Sequence, residues 1–432
     1  MSLPATEISR HELERDFDYE GLYRQQEPAL QALVRRLFDH SPYYREKLTA
    51  AGITPGDIRT AADLEYVPLT DKGELRNGKP LDLMAVPEEK VVRIHSSSGT
   101  TGKPIIIPYT AGDVAAWAQM MARCFALAGV TNRDRVQITP GYGLWTAGIG
   151  FQAGVEYLGA MAIPTGAGNT EKQLEMMVDL QATVLTATAS YALFLGEEIE
   201  RRGLREKIAL RVGLIGSERW GEKMRRRIEE LLGIEAFDIY GLTEIYGPGI
   251  GLDCPAHEGI HMWTDHLLLE IIDPATGKQL PPGATGELVI TTLTKEGMPL
   301  LRYRTHDLTC LKAAACSCGS PYPMIERVLG RTDDMVKVKG VNIFPGQVDN
   351  VLHLTPGAGS EYQLILTRDQ GKDRLLVKME YLPGHDGSAV AAACRHQIKA
   401  RIGILADVEA VPQGTLPRSE KKTRRVYDYR EN

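Results

Sequence analysis

The chain carries no surplus of positive charge. Fifty lysines and arginines face 56 aspartates and glutamates, for a formal net charge of −6 over 432 residues. A general electrostatic grip on nucleic acid needs a basic surface, so nucleic acid is not an expected partner. Uninterrupted apolar runs are also missing. The stretch that most resembles one, Val136 to Val155, has no formal charge but contains Pro140 and glycines at 141, 143, 148, 150 and 154. It reads as a buried strand running into a glycine-rich loop, not as a membrane span. The opening residues, Met1 to Asp16, are polar and charged and show no secretory signal, so the expected location is the cytoplasm, with no membrane partner. Cysteine is sparse, at six residues, and in that compartment a disulfide framework is excluded. There is no internal repeat and no low-complexity tract.

What is present is enough chain for two domains. Residues 1–75 read as helical and polar, with apolar positions at Leu30, Leu33, Val34 and Leu37 in helical spacing. An alternation follows. Short β-branched runs at 91–94, 105–107, 136–139, 162–163, 184–188 and 212–215 are separated by helical patterns at 113–128, 170–180, 192–202 and 221–232. This predicts an α/β fold: a large N-terminal domain with parallel sheets flanked by helices. From about Asp265 the strands at 267–272 and 287–293 are split by turn-rich segments, which predicts an antiparallel subdomain over about 265–330. Residues 331–432 then read as a small, mobile α+β C-terminal domain, with strands at 336–341, 362–367 and 375–380 and helices at 348–354 and 389–401. The N-terminal domain is accordingly placed at 1–330.

The strongest chemical signal is Ser96, Ser97, Ser98, Gly99, Thr100, Thr101, Gly102 and Lys103, followed by Pro104, between two expected strands. Glycines let the backbone approach a ligand, five hydroxyls and the amides offer donors, and the lysine adds charge. This suits a polyphosphate; the pattern differs from the P-loop, and a flexible surface linker is the bland alternative. Glu244 follows a strand and a Tyr-Gly turn at the carboxyl edge of a sheet, where a carboxylate suits Mg²⁺ or is simply solvated. Asp307 can accept bonds from ribose hydroxyls or pair with Arg304. Gly141, Tyr142, Gly143, Leu144 and Trp145 end a strand, as an apolar cleft for a flat ring or as an ordinary turn. His95 could shield a leaving pyrophosphate or cap its strand.

These segments, in this order, resemble the adenylate-forming enzymes: acyl- and aryl-CoA synthetases, adenylation domains and luciferases. The serine-rich run is similar to the family's phosphate loop. The segment Asp238, Tyr240, Gly241, Thr243 and Glu244 resembles its adenine and magnesium segment, Asp307 its ribose contact, and Gly216, Ser217 and Glu218 the lining of the adenine face. Arg331 and Asp333 match a nucleotide contact and the hinge, and Lys339 and Gly340 the region presented to the thiol. The catalytic lysine aligns with Lys422, although Lys421 stands where glycine is usual and Thr423 where alanine is usual. Within the superfamily, the runs Ser41 to Leu48, Val92 to Pro104, Gly141 to Gly148 and Gly340 to Pro345 resemble the phenylacetate–CoA ligase family over nearly the whole chain.

The resemblance implies ATP, Mg²⁺ and coenzyme A as cofactors and an aromatic carboxylic acid as substrate, with Tyr142, Gly143 and Trp145 beside it. It implies an acyl-adenylate intermediate, a CoA thioester product and a homodimer. Two other readings share most of these segments: an adenylating enzyme serving a non-CoA acceptor, and a nucleotide-binding regulator without catalysis. Separately, Cys254, His261, Cys316 and Cys318 make a possible closed zinc set of three thiols and one imidazole, structural in role. The alternative is four unrelated residues. Cys124, Cys310 and Cys394 sit in apolar contexts and read as core.

Overall fold

A computed structural model describes residues 16–77, 81–97, 104–338, 341–369, 372–417 and 425–430. It forms two compact units. The first comprises residues 1–167 and 237–327; the second comprises 168–236 and 328–432. The architecture is α/β, with parallel and antiparallel sheets. Among the described residues no helix is long and apolar enough to cross a membrane.

In the first unit, the strands Val91–Ser96 and Ile106–Thr110 form an antiparallel hairpin. The alternation pattern had assigned these runs to the parallel series. They pair with each other instead, and only the nine residues of the serine-rich connection lie between them in the chain. Thr110 and Asp113 then cap each other reciprocally at the start of helix Ala111–Leu127. The pair Arg135–Ile138 and Met161–Ile163 is parallel, and its crossover contains helix Ala147–Leu158. Thus the second half of the charge-free stretch is helical, where a loop had been expected. Its glycines are there for contact: a Cβ on Gly150 would stand 2.2 Å from the Trp117 ring, and one on Gly154 would stand 2.4 Å from Met121 Cβ.

The strands Glu235–Leu242, Gly247–Asp253, Ile260–Met262 and Met324–Ile325 pair antiparallel in succession. The antiparallel subdomain has Leu267–Ile272 beside Gly286–Thr292 beside Tyr303–Thr309. Its first two strands are buried along their whole length. The core that includes Leu268, Leu293 and Leu301 takes in Leu30, Leu33, Val34 and Leu37 of helix Tyr19–His40. Burial on both faces replaces the alternation of a half-exposed strand with a continuous apolar run.

In the second unit, Val184–Thr188 and Val212–Gly216 are parallel, with helix Ala189–Arg202 between them and helix Glu222–Leu232 following. The C-terminal body has a sheet ordered Asp407–Pro412, Lys372–Tyr381, Ala358–Asp369, Val426–Asp428, with helices Pro345–Leu354 and Gly387–Ile402. The run 336–341, expected as one strand, is instead the start of a tight hairpin of Val336–Val338 with Val341–Ile343. Cys124 and Cys394 are buried as expected, whereas Cys310 is only partly so.

Candidate active site

Of the expected phosphate loop, Ser98, Gly99, Thr100, Thr101, Gly102 and Lys103 lie outside the described residues, but its stem is well defined. Ser97 and Ile105 close it: the Ser97 amide donates to the Ile105 carbonyl at 3.0 Å, and the Ile105 amide donates to Ser97 Oγ at 3.0 Å. The Ser96 amide donates to the Leu144 carbonyl at 2.8 Å, which ties the stem to the aromatic loop. His95 reinforces that tie. Its Nδ1 lies 3.1 Å from the same carbonyl, and its ring packs edge-on against Tyr109 and Trp117. Burial lowers its pKa, so the neutral imidazole acts here as an anchor.

The aromatic loop is shaped by glycines. Gly143 has φ +92°, a left-handed conformation that side chains resist, and it turns the chain between Tyr142 and Trp145. A Cβ on Gly141 would meet the Trp145 ring at 2.9 Å, and one on Gly148 would meet the Tyr142 ring at 2.8 Å. The Trp145 side chain is 46% exposed, so a flat apolar surface remains available beside the loop. The Tyr142 hydroxyl is buried with no hydrogen-bond partner among the described residues, and burial pushes its pKa up to about 12. Thr146 Oγ1, at the end of this loop, is 3.4 Å from Thr243 Oγ1.

Thr243 brings in Glu244. This carboxylate is buried, and Lys72 Nζ lies 3.0 Å from its Oε1 as an ion pair lacking hydrogen-bond alignment. Behind it, Lys295 is fully buried and donates to the carbonyls of Glu244, at 3.3 Å, and Ile245. Its ammonium also lies 4.6 Å and 5.0 Å from the centres of the Tyr109 and Tyr246 rings. Burial drives its pKa down to about 8, against the opposing pull of Asp113 and Glu244. Sequence reasoning missed both lysines. Lys72 starts a short helix in a polar region, and Lys295 sits in the loop between strands Gly286–Thr292 and Tyr303–Thr309; nothing local marks either one.

On the strand before Glu244, the Tyr240 hydroxyl donates to Asp307 Oδ2 at 2.6 Å. Gly241 is pressed against the neighbouring strand, where a Cβ would stand 2.1 Å from the Gly247 carbonyl oxygen. Asp307 does not pair with Arg304. Arg304 instead forms a bidentate pair with Glu287 at 2.7 and 2.9 Å, and an irregularity of the strand between Arg304 and Leu308, with His306 at φ +65°, separates it from Asp307. The first unit thus joins the phosphate-loop stem, the aromatic loop, the Glu244 segment and the Asp307 strand through a chain of short contacts. Asp238 lies on the same strand as Tyr240.

In the second unit, Gly216, Ser217 and Glu218 end the strand Val212–Gly216. Ser217 has φ +68°, and Glu218 Oε1 accepts from the Ser190 amide at 2.6 Å at the start of helix Ala189–Arg202. Arg331 is held by Asp333 through two bonds of 2.8 and 2.9 Å. Lys339, Gly340, Lys421 and Lys422 lie outside the described residues.

Away from these loops, the four residues of the expected metal set do meet. One ligand atom from each of Cys254, His261, Cys316 and Cys318 lies within 4.8 Å of all the others. Cys254 Sγ is 3.5 Å from Cys316 Sγ, and His261 Nε2 is 3.3 Å from Cys318 Sγ. A tetrahedron with zinc–sulfur and zinc–nitrogen bonds of about 2.3 and 2.0 Å has edges of about 3.5–3.8 Å, so the donor set fits that ion. His261 Nδ1 lies 2.8 Å from the Tyr322 carbonyl, which holds the proton on Nδ1 and leaves Nε2 for a metal. Gly319, at φ +75°, turns the chain after Cys318.

The fold and this arrangement of loops have counterparts. Residues 37–294 match the family model of AMP-binding enzymes, and residues 340–430 match the model of their C-terminal domain. The phenylacetate-coenzyme A ligase of Escherichia coli (strain K12) is 43% identical over 410 residues, covering 92% of each chain. That of Thermus thermophilus is 40% identical over 432 residues, covering 95% of this chain and 97% of its own. A solved 2-hydroxyisobutyryl-CoA ligase in the postadenylation state, in complex with 2-HIB-AMP, superposes with a TM-score of 0.88 at 27% identity, covering 100% of this chain and 94% of that one. The chain belongs to the AMP-binding enzymes and, within them, to the phenylacetate–coenzyme A ligase family. It is an AMP-forming acid–CoA ligase that uses ATP and CoA.

Proposed function

We propose that the enzyme converts phenylacetate, ATP and CoA to phenylacetyl-CoA, AMP and pyrophosphate. The substrate carboxylate attacks the α-phosphorus of ATP and pyrophosphate leaves. The CoA thiolate then attacks the acyl carbon of the adenylate and AMP leaves. The observation that carries this reading is the joining of the phosphate-loop stem, an aromatic loop and the Glu244 segment by the Ser96–Leu144 and Thr146–Thr243 contacts in one unit. In this reading the exposed Trp145 ring offers an apolar surface to the substrate's ring, near Ser96 and Ser97 at the start of the loop that would hold the phosphates.

In this reading Asp307 accepts the ribose hydroxyls, and Tyr240, already bonded to it, orients the carboxylate. Gly216, Ser217 and Glu218 line the adenine, and the loop of residues 96–103 holds the phosphates. Glu244 would hold a Mg²⁺, which when bound neutralises charge on the phosphate oxygens. Lys422 stabilises charge as the adenylate forms. The small domain, residues 331–432, then turns about Asp333 and brings Lys339 and Gly340 toward the thiol. The Cys254, His261, Cys316 and Cys318 set holds a structural zinc. The working assembly is a cytoplasmic homodimer.

Pyrophosphate release measured across a panel of carboxylic acids, with and without CoA, tests the reading. Phenylacetate should give the highest kcat/KM, with a thioester as product. Adenylate without thioester would point to another acceptor, and no acid-dependent release would overturn the reading. Lys422→Ala should slow adenylate formation by about 100-fold or more while sparing thioester formation from supplied adenylate. Equal loss in both steps would remove Lys422 from that role.

A further inference from the structure

Inside the second unit, two bodies meet through a polar seam. The C-terminal body has its own apolar core, built from residues such as Val348, Val351, Leu364, Val377, Cys394 and Ile398. No residue of 168–236 belongs to that core. Two cations send side-chain hydrogen bonds across the seam. Lys223, in the first turn of helix Glu222–Leu232, donates to the carbonyls of Leu352, Thr355 and Ala358 at 2.5, 2.9 and 3.1 Å. Leu352 lies in the last turn of helix Pro345–Leu354, so one ammonium caps the end of a helix about 130 residues away. That end leaves carbonyls unsatisfied and carries the negative pole of the helix.

Four residues before Lys223, the Arg219 guanidinium donates to the Val328 carbonyl at 3.1 Å and to Asp349 Oδ2 at 2.9 Å. It thereby grips both the approach to the proposed hinge and the helix beyond it. Gly346 makes room for this: a Cβ there would stand 1.9 Å from the Leu329 carbonyl oxygen and 2.6 Å from Arg219 Nη1. The seam is also imperfectly filled. A small cavity runs along it between Trp220, Asp349, His353 and Arg425, and the buried Trp220 Nε1 has no hydrogen-bond partner among the described residues. Buried donors in well-packed cores are seldom left unpaired. A polar contact, with a small cavity along it, against a body that has its own core is suited to opening and closing.

We infer that Arg219 and Lys223 are positioning residues that form a latch, holding the C-terminal body in one of the two arrangements the reaction needs and releasing it for the other. This rests on the two-step reading given above. Neither residue touches the reacting atoms; their effect is on how the enzyme divides its time between adenylate formation and thioester formation. Charge-assisted bonds to main-chain carbonyls suit this role, because both partners regain water when the seam opens and the cost of release stays modest.

The test measures both half-reactions separately: acid-dependent ATP–pyrophosphate exchange, and thioester formation from supplied phenylacetyl adenylate and CoA. In Lys223→Met and Arg219→Ala, one half-reaction should slow by about 10-fold or more, since each variant loses at least one charge-assisted bond, while the other is unchanged or faster. Lys223→Arg should recover the wild-type split. Gly346→Ala, which disturbs the seam without removing a charge, should shift the split in the same direction as Arg219→Ala. Equal slowing of both half-reactions, or no change in either, overturns the latch; thermal melting of each variant separates equal slowing from simple unfolding. Lys422→Ala is the control for the underlying reading. If it divides the half-reactions and the seam variants do not, the latch alone fails; if it does not, the two-arrangement reading fails with it.

Discussion

An ammonium group with no water around it must find its ligands in the protein. Lys295 uses two main-chain carbonyls and two aromatic faces, and it fixes the backbone under Glu244. With its pKa lowered to about 8, the folded protein releases this proton at a lower pH than the unfolded chain does. Above about pH 8 the unfolded state therefore binds more protons, and this group's contribution to stability rises with pH until the unfolded lysine also titrates near 10.4. The cost of burying the charge is fully present below pH 8 and is relieved above it. Denaturant unfolding at pH 7 to 10 should show a gain of up to about 3 kcal/mol from this group in the wild type, absent in Lys295→Met. Parallel pH profiles in the two proteins would contradict this. Such a residue is invisible in sequence because its neighbours, Tyr109, Glu244 and Ile245, are far from it along the chain. Glu244 and Asp307 were singled out in the sequence by the family segments they resemble, but their contacts with Lys72 and Tyr240 became evident only in space.

At the scale of elements, the helix Ala147–Leu158 shows what a glycine pattern can hide. Glycine inside a helix costs about 1 kcal/mol relative to alanine, so Gly150→Ala should stabilise an isolated helix. Here it would push a methyl group to 2.2 Å from a ring carbon of Trp117, and that ring is pinned by its Nε1–H bond to the Pro248 carbonyl at 2.8 Å. Overpacking of this kind costs about 1–3 kcal/mol, so a net loss of stability is expected. A raised melting temperature for Gly150→Ala would show that Trp117 can move. The hairpin of residues 91–110 carries a similar lesson. Its strands are plain in the sequence, but whether a β-branched run pairs parallel or antiparallel depends on the connection, and here the connection is the short serine-rich run.

At the scale of the whole molecule, the Cys/His cluster joins three separate segments of the first unit: the end of strand Gly247–Asp253, strand Ile260–Met262, and the loop ahead of Met324–Ile325. With zinc bound, metal affinity becomes folding free energy for those segments. Elemental analysis after metal-free dialysis should find about one zinc per chain, the stoichiometry of one closed four-ligand site. Chelation, or Cys316→Ser, should lower the melting temperature and raise amide exchange first across residues 254–261 and 310–325. A well-folded, metal-free protein with unchanged exchange would show that the cluster needs no ion. The spacing of Cys316 and Cys318 was suggestive alone, but only the pairing of Ile260–Met262 with Met324–Ile325 brings His261 to them.

The sequence by itself determined the class of chemistry. Phosphate loops, strand-end carboxylates and glycine turns are local devices, set by residues a few positions apart, and their order along the chain marked an adenylate-forming enzyme. It also determined most helices and strands, because amphipathic period and turn residues act over one or two turns of chain. Tertiary structure alone decided which polar groups face each other: Lys72 with Glu244, Tyr240 with Asp307, Arg304 with Glu287, Lys223 with the end of a distant helix. The reason is physical. A buried or half-buried charge takes whatever donor or acceptor packing delivers to it, and packing is set by contacts between segments far apart in the chain.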